Sequence, residues 1–245
     1  MEENNRKGTG VFYAVVGVAT LVVAIIGATF AYFSATATAE TKVTGDTLDI
    51  GGNFKVAVTQ LQPDNRTAGS PNLVPAKFGD NNNALTTENA VNAVTSALNN
   101  KCEHDGYTGC HIWKVTATTG EDLSTASLIL NIKAPQGNNW SYVLFKDTQD
   151  LTTLDGTTGT VSLSAASASV GKFTTAGTNV DMHNGAPMKK AVGEGTVSET
   201  YYIMVYLQNQ DVSQNKESNE TGKYDGSVTF SAAGGEVTAS FTLSQ

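Results

Sequence analysis

Hydrophobic and polar positions divide this chain sharply near residue 33. Val11–Phe33 is unbroken apolar sequence, with no charge and nothing more polar than threonine. About twenty such residues, at about 1.5 Å rise each, cross the hydrocarbon core of a bilayer as a helix. Arg6 and Lys7 precede the run and hold its start in the cytoplasm, so the chain beyond it is exported. A secretory signal has an apolar core of about 7–15 residues, and this longer run keeps a retained signal anchor open. Ala31, Ala35, Ala37 and Ala39 offer small-x-small exits of the kind a signal peptidase accepts, which keeps cleavage open too. Residues 1–31 thus read as a signal peptide or signal anchor; the basic flank and N-terminal position disfavour a buried soluble helix.

Beyond residue 50 the period is mostly two. Phe54, Val56 and Val58 alternate with polar neighbours and predict a strand. Asp64–Pro75, with Pro71 and Pro75, reads as a loop. The single helical pattern spans Thr86–Asn99, where Val91, Val94 and Leu98 share a stripe backed by Ala90 and Ala97, with Thr86 or Thr87 as cap. Such a stripe is expected to pack across one end of the sheets, the alternative being a partner-binding surface. Trp113, Val115 and Ala117, then Leu128, Leu130 and Ile132, alternate as strands, and Val161 and Leu163 predict a short one. Trp140–Lys146 and Thr200–Gln208 are apolar on both faces, the mark of central strands. Gln208–Lys223 is polar and reads as a long exposed loop. Gly226–Ala232 and Glu236–Leu243, joined through Ala233-Gly234-Gly235, read as a closing hairpin. About ten strands with Gly-rich turns predict a mainly β fold, a sandwich or jelly roll with one short helix, preceded by the N-terminal hydrophobic helix. Residues 51–245 form that domain.

Residues 32–50 stand apart. Ala35, Ala37, Ala39, Thr41 and Val43 fall on one face of an extended strand, but past Gly45-Asp46 the apolar side switches to Leu48 and Ile50. Side chains alternate across a strand, so a change of phase demands a bulge or turn there. Tyr32–Thr44 is therefore a separate arm with little apolar area, which orders only by pairing with a sheet edge, its own or a neighbour's. Pairing with a neighbour is strand addition. Applied head to tail it does not close and grows a filament, with Ala35, Ala37, Ala39 and Val43 as the donor face.

Gly27-Ala28-Thr29-Phe30-Ala31-Tyr32-Phe33-Ser34, Gly45-Asp46-Thr47-Leu48-Asp49-Ile50 and Val56–Pro63 resemble the leader and first strands of the TasA/camelysin family, secreted fibre proteins of Gram-positive biofilm matrices. Glu2 and Glu3 stand where that family has a lysine cluster, and Asn53 lies in the Gly-Gly turn. The resemblance implies a dedicated signal peptidase, cleavage between Ala31 and Tyr32, and donation of the freed arm to the next subunit. The expected partners are then other copies of the chain, the peptidase and other matrix proteins, with the membrane touched only through residues 11–33. Camelysin has been described as a protease, but no residue pattern here carries that over. Two other readings stay open: a membrane-anchored binding or adhesin domain with the apolar run uncleaved, and a pilin- or archaellin-like filament subunit cleaved after Gly8.

Removing 31 of 245 residues leaves 214, enough to bury about 70% of the unfolded surface without metal or disulfide staples. The net charge of −8 lies wholly beyond the leader, whose first ten residues carry two acids and two bases. An acidic exterior argues against nucleic acid and anionic membrane surfaces as partners. Cys102 and Cys110 flank an Asp105-Gly106 turn, and in an oxidising exterior they are expected to form a disulfide. The alternative is a metal site from Cys102, His104, Cys110 and His111, but that spacing matches no zinc motif. None of the three histidines, His104, His111 and His183, lies in an H-E-x-x-H frame, and no G-x-S-x-G elbow or P-loop occurs. Asp147, Asp150 and Asp155 lack the calcium-loop spacing. No catalytic residue, metal or cofactor is expected, so the chain reads as a non-enzymatic structural protein.

Overall fold

The computed structural model describes residues 16–20, 37–40, 46–50, 54–63, 73–78, 85–104, 107–133, 139–148, 151, 161–166, 168–173, 177–209, 224–232 and 235–242. Within the apolar run, residues 16–20 are helical. Among the described residues no helix is long and apolar enough to cross a membrane.

The body is a β-sandwich, as its alternating pattern predicts. One sheet holds five strands in the order β1 (Ala37–Glu40), β13 (Gly235–Thr242), β12 (Asp225–Ala232), β7 (Ser127–Lys133) and β10 (Thr178–Asp181). The other holds six: β2 (Asp46–Ile50), β3 (Phe54–Gln62), β6 (Cys110–Thr119), β11 (Val197–Leu207), β8 (Trp140–Asp147) and β9 (Ser169–Lys172). A separate two-stranded ribbon pairs β4 (Glu103–His104) with β5 (Tyr107–Thr108). Every pairing between these strands is antiparallel except β1 with β13.

The six-stranded sheet is buried on both faces at its centre, along β6, β8 and β11. Its inner face meets the five-stranded sheet through Val56, Trp113, Val115, Ile203 and Leu207, against Leu130, Val228 and Phe230. Phe54 meets Phe230 edge-on across this core, with ring centres 5.5 Å apart. Its outer face carries Ile112, Val143, Tyr202 and Met204, covered by α1 (Ala90–Asn99) through Val91, Val94 and Leu98. This is why β8 and β11 read as continuous apolar runs: they have no solvent side. The five-stranded sheet has one core face, so Val228, Phe230 and Ala232 alternate with Ser227, Thr229 and Ser231. Across the β12–β13 pair, Phe241 lies over Gly226; a Cβ there would fall 2.4 Å from the ring.

Two expectations are corrected. The regular helix α1 starts at Ala90 rather than Thr86, but Thr86 does cap the turn ahead of it: its N–H donates to Asn89 Oδ1 at 2.7 Å and its hydroxyl accepts the Asn89 N–H at 3.4 Å. Val161 and Leu163 form no strand. Val161 is held at the helix end by a reciprocal pair of bonds with the Asn99 amide, 2.8 and 2.9 Å, and the Asp147 carboxylate accepts from Ser164 N, Ser164 Oγ and Ala165 N. Apolar residues in such a tied loop cover the same core as a strand would, so their period misleads. Asp147 is thereby committed to the 164–165 loop; Asp150 and Asp155 lie outside the described residues.

Candidate functional site

The arm meets the sandwich at an edge. β1 is the outermost strand of its sheet and runs parallel to β13, with Ala37 opposite Val237 and Ala39 opposite Ala239. The next strand, β2, belongs to the other sheet, so the chain changes sheets between Glu40 and Asp46. The switch of phase expected at Gly45-Asp46 falls at the end of this connection, and residues 41–45 lie outside the described residues. Of the other residues assigned to the arm and its release, Ala31, Tyr32, Ala35 and Val43 lie outside the described residues.

Hydrogen bonds and chain entropy decide how firmly β1 is held. A backbone hydrogen bond contributes about 0.5–1.5 kcal/mol net, while ordering each residue costs about 1–2 kcal/mol. Four residues paired along one side therefore come close to cancelling, and parallel pairing is slightly the weaker kind. The β13 edge is thus occupied over four residues only.

Cys102 and Cys110 form a disulfide, with Cα atoms 5.2 Å apart. The bond ties the turn that ends α1 to the first residue of β6, around the β4–β5 ribbon. It also removes both sulfurs as metal ligands. His111 points the other way: successive residues of β6 face opposite sides, and Cys110 sits under α1 while His111 reaches Tyr224 in the inter-sheet core. Trp113 Nε1–H donates to the Tyr224 hydroxyl at 2.6 Å, which leaves the phenol hydrogen for His111 Nδ1 at 3.0 Å. Burial raises Tyr224 well above the usual tyrosine value, against the Trp113 bond. The proposed ligands are thus not brought together.

A cluster that sequence reasoning missed lies between the sheets. His183, on the turn after β10, crosses to β11, where Nδ1 stands 2.7 Å from Glu199 Oε2 and 2.8 Å from the Tyr201 hydroxyl. Tyr201 donates to Glu199 Oε2 at 2.8 Å, and Lys146 of β8 holds Oε1 at 2.6 Å. His183 Nε2 faces the Ala186 carbonyl at 2.7 Å, and Asp181 accepts the N–H groups of His183 and Asn184. Burial alone would raise Glu199; the Lys146 and Tyr201 hydrogen bonds, with the Lys146 and His183 charges, bring it below the usual carboxylate range. Burial first, and then Glu199, push the Tyr201 phenol far up. A cleft of about 440 Å³ opens beside the cluster, lined by Leu144, Lys146, Ser169, Asp181, Met182 and Tyr201. The available signal was Glu199-x-Tyr201, a spacing of two that places both side chains on one face of a strand.

No family model matches the chain, and no curated protein does. Among solved structures it is similar to AvmM, which catalyzes macrocyclization in alchivemycin A biosynthesis, at 10% identity over 56% of this chain and 80% of that one, with a TM-score of 0.26. It is also similar to the CooA pilin subunit of enterotoxigenic Escherichia coli, at 13% identity over 76% of this chain and 95% of that one, with a TM-score of 0.23. Both are distant structural likenesses, and no family follows from them.

Proposed function

We propose that this protein is an exported structural subunit that assembles into an extracellular fibre or matrix when its N-terminal arm is donated to a neighbouring copy. The observation that carries the reading is the place of β1: a four-residue strand at a sheet edge, parallel to its neighbour and divided from the next strand by a change of sheet. A strand so marginally held exchanges its own β13 edge for another copy's at little cost, and head-to-tail exchange does not close. The disulfide supports an oxidising destination outside the cytoplasm. The resemblance of residues 27–63 to the TasA/camelysin family supports the same route, with release between Ala31 and Tyr32.

A second reading, a membrane-anchored surface domain, is favoured by residues 16–20, where Val16 and Val18 are exposed on a helix within the apolar run. N-terminal sequencing of the protein taken from the cell surface separates the two. A start at Tyr32 is the outcome expected for the fibre, a start at Met1 for the anchor. Electron microscopy of the same material, beside the full chain carrying Ala37→Pro and Ala39→Pro, tests assembly. Fibres from the native chain and none from the proline variant are expected. A native chain that stays monomeric under all conditions ends the proposal.

A further inference from the structure

We propose that the groove between α1 and the 74–78 segment binds an uncharged carbohydrate, held by side-chain amides of the helix and by the ring of Phe78. The inference is independent of the assembly reading.

The groove encloses about 430 Å³, inside the range of about 300–1,000 Å³ usual for small-molecule sites. One wall is the helix. α1 buries Val91, Val94 and Leu98 against the six-stranded sheet, while Asn89, Asn92, Ser96 and Asn100 line the groove. Those four recur at spacings of three and four, so they form one row along the helix. Ala93 and Ala97 lie beside the row, and their small side chains leave the floor open. The opposite wall is the 74–78 segment, which backbone bonds fix in place. Val74 N–H donates to Thr108 O and Ala76 N–H to Leu207 O, both at 2.9 Å, and Asn209 N–H donates to Ala76 O at 3.1 Å. The Phe78 ring is half-buried and meets Tyr206 edge-on, with ring centres 5.2 Å apart. The Cys102–Cys110 disulfide ties down the end of α1, and Cys102 and Glu103 complete the lining there. Both walls are thus set before a ligand arrives, and a preformed site loses less on binding.

The lining selects the ligand. Sites for apolar ligands are lined mainly by apolar and aromatic side chains, whereas here polar side chains outnumber them. An anion needs an excess of cations, but Lys77 and Glu103 bring one charge of each sign. The rest of the polar lining is amide and hydroxyl, which offer donors and acceptors together. Asn89 Oδ1 accepts the Thr86 N–H, which leaves both of its amide hydrogens. Asn100 Nδ2 donates to Ser96 Oγ at 3.2 Å, which leaves the Asn100 side-chain oxygen and the serine hydrogen. Asn92 is exposed, and its side chain has no partner among the described residues. Neighbouring hydroxyls of a sugar each donate and accept, so one side-chain amide can meet two of them. The C–H face of the same sugar is apolar and packs on an aromatic ring, the contact that Phe78 offers. A helix face that only meets water is ordinarily built from charged, straight-chain residues. α1 (AVNAVTSALN) has none, and it places asparagine at 92, where nearly any of them would favour the helix more.

The test is proton–nitrogen NMR of the labelled full chain, in a detergent without sugar headgroups, titrated with chitotriose, maltotriose and cellotriose. A galacturonic acid trimer and a blocked alanine tripeptide serve as the charged and peptide counterparts. At least one neutral trisaccharide is expected to shift the Asn92, Ala93 and Ser96 signals saturably, with a Kd of about 1 mM or below. Asn92→Ala should weaken that binding about fivefold, the worth of one net hydrogen bond, while its higher helix propensity keeps the fold intact. Phe78→Leu, which keeps an apolar contact with Tyr206 but removes the aromatic face, should weaken it as well. No saturable shift with any of the neutral sugars overturns the proposal. So does tighter binding of the uronate or the peptide, or an affinity that Asn92→Ala leaves unchanged.

Discussion

Gln62 is fully buried, and neither its amide oxygen nor its amide nitrogen has a hydrogen-bond partner among the described residues. An unsatisfied buried polar group costs about 1–3 kcal/mol, whereas an apolar group of similar shape does not. Gln62→Leu is therefore expected to raise stability by roughly 1–2 kcal/mol, read from denaturant midpoints at unchanged slope. A loss of stability would show that the amide has a partner. Glu199 makes the opposite case. Its carboxyl is held below the usual range, so the unfolded state takes up its proton first as the pH falls. The stability it contributes is present above the unfolded value of about 4.3 and is lost as the pH falls through the folded one. Glu199→Gln should lower stability at neutral pH and flatten the acid limb of a stability–pH curve. A limb as steep as the native one would place the acid sensitivity elsewhere.

Among the elements, the disulfide's work is to hold the end of α1 against β6. Reduction, or Cys102→Ser with Cys110→Ser, is expected to cost about 2–3 kcal/mol and to loosen α1 before the sandwich, visible as faster exchange of helix amides. Loss of both layers together would tie the helix to the global transition. This is also the scale at which the sequence was most and least legible. Strands with one solvated face, such as β7 and β12, declared themselves by strict alternation. β8 and β11 declared their burial by losing it, although which layer covered each face could not be read from them. β9 (SVGK) and β10 (TNVD) passed unseen, because four-residue edge strands give too few positions to show a period. The His183 cluster was hidden for a different reason. Glu199 and Tyr201 sit 16 and 18 residues after His183 and Lys146 lies 37 before it, and they meet only because the turn after β10 crosses between the sheets. A pattern confined to one strand shows half of such a contact.

At the scale of the whole molecule, the chain changes sheets on both flanks of the sandwich, from β1 to β2 on one and from β9 to β10 on the other. The two crossings differ in how they are secured. β10 is anchored through Leu130 and Ile132 of its neighbour β7 and through the His183 turn, whereas β1 has a four-residue parallel pairing at an edge. Both are four-residue edge strands, and under the proposed assembly the β1 flank is the one that exchanges. The alternating small residues around Ala37 and Ala39 made the arm legible as a strand without a core. Whether its edge belongs to the same chain or to the next is not written in any local pattern.

The most direct measurement places cysteines at Ala39 and Ala239, residues opposite one another in the β1–β13 register, in the full chain. The protein is allowed to assemble, oxidised, and run on a denaturing gel without reductant. Exchange of arms between copies is expected to give a ladder of covalently linked multimers that collapses on reduction. Cross-linked monomer alone, from material that has assembled, would contradict it.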